Sequence, residues 1–593
     1  MAESWRAIRL LAATAWQADR RLTVAVAAEP LGNTLGLLAG LWLAMLTTGT
    51  IRHDNTLLVL GAAGLVAGAG LGWQLDLSSS QWRMVLSEKM TRAFEIENAQ
   101  LAAALPGLEH QESPEYQAKL ELLRQRQGQL GAAMSMLAVA YKAVCGGAVV
   151  FILLVLAHPL LLGLVVLALP AVVIARHEQR WRQAAEEACA LPSRTARHLR
   201  ALAYDRDAGM EVRVFGLADE LEDRAARAWA DYRRPVQRAE RRVALVTFAR
   251  ESLTGAGVVA AIGFELWQVA NGRATPGEAI LVIYVSRQVQ SAVAWPIQAV
   301  GSVGQTLRTA GRFLWLRDYA ASVASRYAGR CPAPAALGSG IEFDNVSFRY
   351  PGTDTWILRR VSVTLPAGSV LAVVGENGAG KTTLVKLLTR MYEPTEGRIL
   401  VDGVNLADID IASWRQRLSA AFQDFAKLEF TVQRTVGTGD LAWLDDEGHV
   451  LGALERAGAA EELPTLPAGT ATQLGVQWDG VDLSAGQWQK LALGRALMRT
   501  EPLVVFFDEP TAAVDAPTEH ALFERYAAAS RGGLERGMIT ILVSHRFSTV
   551  SAADRVLVLA DQQVAEYGTH DELVAAGRLY AELYDLQARS YRT

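Results

Sequence analysis

Residues Gly375-Glu-Asn-Gly-Ala-Gly-Lys-Thr-Thr383 constrain the fold of this chain more than any other stretch. They fit G-x-x-x-x-G-K-[ST] at every position. The apolar run Val370 to Val374 precedes them, and a helix is predicted from Lys381 with Leu384, Leu387, Leu388 and Met391 on one face. Gly375, Gly378 and Gly380 lack Cβ atoms, so the loop can turn successive backbone N–H groups inward. Glu376, Asn377 and Ala379 complete the bend, and Lys381 adds a point charge. The helix start at Thr382 and Thr383 brings unpaired N–H groups and a partial positive charge. Such a strand, loop and helix form a cradle for a polyphosphate.

At 593 residues the chain exceeds a single core, since a domain averages about 150 residues. Hydrophobic residues make up 51% and the mean hydropathy is +0.14. The last 250 or so residues read as an ordinary soluble domain, so the apolar excess lies earlier and implies a membrane half. A formal net charge of -4 leaves no basic face for nucleic acid. The three cysteines, Cys145, Cys189 and Cys331, are unevenly spaced and form no C-x-x-C, so they support neither a disulfide framework nor a zinc site. The N-terminus carries no short apolar core with a small-residue cleavage site, so no signal peptide is expected.

Trp5 to Leu22 interleaves Trp5, Ile8, Ala12 and Trp16 with arginines, the pattern of an amphipathic helix on a membrane surface. Apolar runs follow near 23–48, 57–79, 131–157, 158–176, 245–270 and 276–303, each close to the roughly 20 residues a bilayer requires. Six transmembrane helices are therefore expected. The long polar stretches after the second and fourth runs carry many Lys and Arg residues, which places them and both termini in the cytoplasm. Pro30, Pro170 and Pro296 fall in spans as bends or hinges. Ionisable residues in or near spans include Glu29, Asp76, Lys142 and Glu265. Because charge in a bilayer is costly, Glu29, Asp76 and Glu265, with Trp73 and Trp295, are candidates to line a substrate path. The tryptophans also suit interfacial anchoring. Residues 324–340 lose the apolar periodicity, which divides the chain into a transmembrane domain at 1–325, a linker at 326–340 and a nucleotide-binding domain at 341–593.

After the linker, Ile341 to Tyr350 alternates like a strand. Leu503 to Phe507 is an apolar run of the kind buried on both faces of a parallel sheet, and it ends in Asp508 and Glu509. Carboxylates at the carboxyl end of such a strand are placed to hold Mg²⁺ and polarise water. A second run, Thr540 to Ser544, ends at His545.

This ordered set resembles the ATP-binding cassette (ABC) transporters, and specifically their exporter-type half-transporters. The resemblance spans the chain: a membrane α-helical bundle followed by an α/β P-loop NTPase domain of ABC type. It implies that Tyr350 stacks on adenine, that Gly375 to Thr383 is the Walker A loop, and that Gln423 is the Q-loop glutamine. By the same resemblance Leu483, Ser484, Ala485, Gly486 and Gln487 form the signature motif that acts on a partner's ATP. Asp508 would join Thr382 and Gln423 around Mg²⁺. Glu509 would be the general base, Ala512 to Asp515 the D-loop and His545 the switch histidine, so the catalytic set is Glu509, His545 and Gln423. The resemblance further implies a head-to-tail dimer with a second half-transporter; with Glu509, His545 and Tyr350 all present, an identical chain is expected, and an asymmetric heterodimer with one weakened site is the alternative. Ala208 to Phe215 looks like a coupling segment, with Pro114 to Leu120 as its counterpart in the first long loop. Two positions depart from the pattern: Ala485 replaces a glycine, crowding the loop if its backbone needs a positive φ, and the D-loop reads Ala-Ala-Val-Asp.

These readings imply an ATP- and Mg²⁺-dependent exporter of a peptide, natural product or hydrophobic drug in a bacterial plasma membrane. Phe-Gln-Asp-Phe and Leu-Ser-Ala-Gly-Gln-Trp-Gln-Lys look like phrases from bacterial exporters of modified peptides. A lipid flippase, an importer on the exporter fold and a non-transporting partner subunit stand as alternatives.

Overall fold

The computed structural model describes residues 2–157, 161–168, 170–205, 208–508, 537–544 and 550–590. The chain divides into two compact units: Met1–Gln100 with Glu121–Leu316, and Leu101–Leu120 with Arg317–Thr593.

The first unit is helical. Among the described residues four helices are long and apolar enough to cross a bilayer: Thr34–Arg52, Asn55–Ala103, Ala133–Leu156 and Ala218–Ala270. They cover the first, second, third and fifth of the expected spans. The fourth starts in residues outside the described ones and continues as the helical stretches Leu162–Ala168 and Pro170–Ala188, on either side of residue 169, which is also outside them. The sixth begins in the helix Pro276–Tyr327, whose apolar opening is Pro276–Ser286. Asn55–Ala103 has 49 residues and so runs for about 75 Å, more than twice a bilayer core. Its second half is therefore a polar extension of the span. Ala44, Val150, Leu153, Leu154, Val282 and Val285 pack into one apolar core. The amphipathic helix is present as Ala2–Ala18, burying Ala7, Leu10, Leu11 and Ala15 and leaving Trp5 and Trp16 exposed.

The second unit holds two sheets. β1 (Gly340–Phe348), β2 (Leu358–Pro366), β4 (Glu396–Val401) and β5 (Val404–Asn405) form an antiparallel sheet in the order β2-β1-β4-β5. β3 (Val370–Gly375), β6 (Leu418–Ala421), β7 (Val504–Asp508), β8 (Ile539–Val543), β9 (Arg555–Ala560) and β10 (Gln563–Gly568) form the other, in the order β10-β9-β3-β8-β7-β6. All its pairings are parallel except β10 with β9. Alternation along β7 explains the layering. Val504 and Phe506 join the core shared with the antiparallel sheet, whereas Val505 and Phe507 join the core that includes Val436, Leu454 and Trp488. A strand covered on both faces must be apolar throughout, as β7 is.

Residues 101–120, from the first long loop, belong to this unit. Arg415 Nη2 donates to Pro106 O at 2.5 Å and the Leu108 amide to Met391 O at 3.0 Å. Lys386 pairs with Glu112 at 3.3 Å and Arg326 with Glu109 at 3.2 Å. These contacts run through Pro106 to Glu112, ahead of the Pro114 to Leu120 stretch expected from the resemblance.

The turn between β4 and β5 anchors the start of the antiparallel sheet. Asp402 accepts the amides of Gly338, Ser339 and Gly340, each at 2.8 Å. Burial raises its pKa, but these amides and the Ser339 hydroxyl more than offset that and hold the carboxyl below its usual 3.8. A depressed folded-state value means that the stabilisation is present above the unfolded carboxylate range and is lost as pH falls through the folded value. Asp402→Asn keeps a side chain tolerant of the φ of 48° found there. It should cost about 1 kcal/mol at pH 7, read as a lowered thermal midpoint of the full chain, with the gap to the parent closing below pH 4.

Candidate functional site

The parallel sheet brings the soluble-half motifs to one edge. Gly375 ends β3, Asp508 ends β7 and Gln423 follows β6 by two residues. Asp508 lies level with Val543 of β8, the strand between β7 and β3, so Ser544 leaves the sheet between the loop and the carboxylate. Crevices at the carboxyl ends of parallel strands are where this class of sheet binds ligands.

The glycine loop cannot be built from other residues. Gly375 has φ 153°, and a Cβ there would lie 2.4 Å from Leu559 O of β9. Gly380 has φ 100° and is the N-cap of the helix Lys381–Leu388, where a Cβ would lie 2.8 Å from Leu358 Cδ2. Lys381 is 7% exposed, and its Nζ donates to Gly375 O at 2.8 Å and Glu376 O at 3.0 Å. The ammonium thereby ties the two ends of the loop together. Glu376, Asn377 and Gly378 are exposed, Ala379 is half-buried, and Thr382 is exposed beside buried Thr383. A loop with inward-turned amides, a lysine and an exposed hydroxyl fits the triphosphate of ATP. Thr382 and the 3%-exposed Asp508 are oxygen donors of the kind Mg²⁺ takes.

Tyr350 follows β1 and is half-buried. Its hydroxyl lies 3.1 Å from Thr383 Oγ1, and its ring meets those of Phe348 and Tyr392 edge-on, at 5.1 and 5.4 Å. The β1–β2 loop is thus bonded to the helix that starts at the glycine loop.

Leu483 to Gln487 sits at the start of the helix Ala485–Ala496. Ser484 is its N-cap and forms a capping box with Gln487, accepting its amide at 3.2 Å while Gln487 Oε1 accepts the Ser484 amide at 2.9 Å. Gln487 and Lys490 also donate to Glu462, at 2.9 and 2.7 Å. These bonds hold the Glu462 carboxyl below its usual range and fix the helix start. Ala485 is the first residue of that helix and is absent from the positive-φ residues. Its methyl group therefore meets no backbone conflict. Gly486 is the second residue of the helix. Glu509, Ala512 to Asp515 and His545 lie outside the described residues.

In the first unit, Glu29, Trp73 and Asp76 come together around Lys142. Glu29 is 4% exposed and pairs with Arg83 and, at 3.4 Å, with Lys142. Lys142 also pairs with Asp76. A cavity of 370 Å³ opens beside them, lined by Trp73, Asp76, Lys142, Tyr284 and Gln288 among others. Glu265 is buried but does not line it, and the Trp295 side chain lies outside the described ones. Arg83, Tyr284 and Gln288 were not expected there. Lys142 offers a usable sequence signal, since a cation in an apolar run needs an anion nearby.

Residues 358–512 match the family described as ABC transporter. The chain is 40% identical over 249 residues to an ATP-dependent lipid A-core flippase of Bordetella avium, a match covering 42% of this chain and 41% of that protein. It is 35% identical over 340 residues to the mitochondrial iron-sulfur clusters transporter ATM1 of Gibberella zeae, covering 57% and 46%. The chain thus spans less than half the length of these curated relatives. Over 96% of its length it superposes on 98% of a bacterial Atm1-family ABC exporter with ATP bound, with TM-score 0.78 and 25% identity.

The helical placement of Ala485 yields a test. Ala485→Gly restores the paired glycines yet should gain no ATP turnover. It should lower the thermal midpoint slightly, by less than about 1 kcal/mol of stability, as read by calorimetry of the purified chain.

Proposed function

We propose that this chain, an exporter-type ABC half-transporter by its fold and its nucleotide-binding domain, couples ATP hydrolysis to movement of a substrate across a membrane, as a dimer. One observation carries the reading: the phosphate-cradling loop and the buried Asp508 meet at one edge of a parallel sheet, in a chain that superposes along almost its whole length on an ABC exporter.

In this reading Tyr350 packs the adenine, and the loop amides with Lys381 hold the β- and γ-phosphates. Thr382, Asp508 and Gln423 hold Mg²⁺. When bound, the ion offsets the charge on the transferring phosphoryl group. Glu509 orients the attacking water and takes its proton, and His545 contacts the γ-phosphate. Ser484 and Gly486 of one chain close over the ATP held by the other. The helix Ala208–Val214 leaves Met210, Val214 and the following Phe215 exposed, an apolar face suited to docking on the second chain. The domains fall at 1–325 and 341–593, and the nucleotide-binding part faces the cytoplasm of a bacterial cell.

The substrate enters the cavity beside Lys142. Its paired charges and aromatic wall suit a molecule with a charged group and an apolar body, as a modified peptide or amphipathic drug has. A lipid is the second reading, favoured by the 40% identity to a lipid A-core flippase.

Purified chain in lipid should turn over ATP in a Mg²⁺-dependent, vanadate-sensitive way, and Glu509→Gln should cut the rate by a factor of about 100 or more. A folded, ATP-binding protein without turnover would point instead to a chain that needs a different partner. Asp76→Asn should lower ATP-driven accumulation of substrate in vesicles.

A further inference from the structure

Lys386 lies five residues beyond Lys381 in the helix that begins at the glycine loop. Nothing in the hydrolysis chemistry calls for it, yet it bonds both Tyr350 and Glu112. Its Nζ donates to the Tyr350 hydroxyl at 3.3 Å and to Glu112 Oε1 at 3.3 Å. It also lies 5.0 Å from the Tyr350 ring centroid and 5.6 Å from that of Tyr392. Glu112 is itself fixed, because its segment is bonded through Pro106 to Arg415 and through Leu108 to Met391.

Tyr350 stands in a loop between β1 and β2, where a side chain free to change rotamer loses entropy on packing against a ligand. Lys386 removes part of that freedom, since it grips both the hydroxyl and the ring. We infer that Lys386 is a positioning residue for the nucleotide base: it holds Tyr350 in place only while Glu112 of the first long loop holds Lys386. Burial lowers the Lys386 pKa, but Tyr350 and Glu112 outweigh it and raise the net value, so the ammonium stays charged at neutral pH. The affinity for the base, and not for the phosphates, is then set by whether residues 101–120 are docked. This inference rests on the reading of Tyr350 as the residue that packs adenine.

The test compares binding of ATP with binding of inorganic tripolyphosphate, which has no base. Full-length chain in lipid nanodiscs, carrying Glu509→Gln to prevent hydrolysis, is titrated with each ligand and Mg²⁺ in a calorimeter. Lys386→Met should weaken ATP roughly three- to tenfold and tripolyphosphate less than about twofold. Glu112→Gln should weaken ATP about threefold and add nothing further in the Lys386→Met chain. Lys386→Arg should restore most of the ATP affinity. Equal weakening of both ligands would overturn the inference, since Lys386 would then only support the phosphate helix. Additive effects of Glu112→Gln and Lys386→Met would overturn it too, as would an unchanged ATP affinity in Lys386→Met. Tyr350→Ala separates the two readings. If it leaves ATP binding intact, base packing by Tyr350 falls first; if it weakens ATP while Lys386→Met does not, only the role of Lys386 falls.

Discussion

The structure of the soluble half depends on a backbone that turns where side chains cannot follow. At Gly375 the chain passes so close to Leu559 O that a single methyl group would collide with it. Lys381 then folds under the loop and bonds Gly375 O and Glu376 O. β3 can therefore deliver a rigid ring of amides only because it is flanked by β9 and β8, which hold it in register from Val370 to Gly375. The same register sets Asp508, two strands away, level with the end of β8. A shift of one residue in β7 would turn Phe506 and Phe507 toward the wrong cores and would move the carboxylate with them.

That sheet does not stand apart from the rest of its unit. Residues 101–120 bond Arg415 through Pro106, Met391 through Leu108, Arg326 through Glu109 and, on the helix that follows the glycine loop, Lys386 through Glu112. In the first unit, the charges that a bilayer penalises are gathered and neutralised, two acids with two bases, around Glu29 and Lys142. Isolated, each would be costly; paired, they form a polar cluster beside a cavity.

Much of this was legible from residue patterns. The strand, loop and helix around Gly375 and the β7 run into Asp508 follow from periodicity and composition, because a parallel strand buried on both faces has few alternatives. The approximate places of the apolar spans follow from the length a bilayer imposes. Other features depend on contacts between residues distant in sequence. The grouping of Glu29, Asp76, Arg83 and Lys142 spans over a hundred residues, and no local pattern states which acid meets which base. Glu265 looked equivalent to Glu29 by sequence, yet it lies away from the cavity lining. The resemblance singled out Pro114 to Leu120 in the first long loop, and the contacts of Pro106 and Leu108 with Arg415 and Met391 lie ahead of it, through backbone groups that no side-chain pattern announces. The concern over Ala485 came from counting glycines, and it dissolves once the residue is seen inside a capped helix, where alanine is favoured.

The central claim is that each ATP is held by the loop of one chain and closed by the signature helix of another. Mixing two tagged variants tests it, both in the Glu509→Gln background: one carries Lys381→Ala, the other Ser484→Arg. A site made across chains leaves the mixed dimer with one intact pair, Lys381 from one chain and Ser484 from the other, whereas a site made within a chain leaves none. The account predicts that purified mixed dimers retain one ATP and that neither variant alone retains any. Mixed dimers that retain no ATP, while the unmixed Glu509→Gln dimer does, would contradict it.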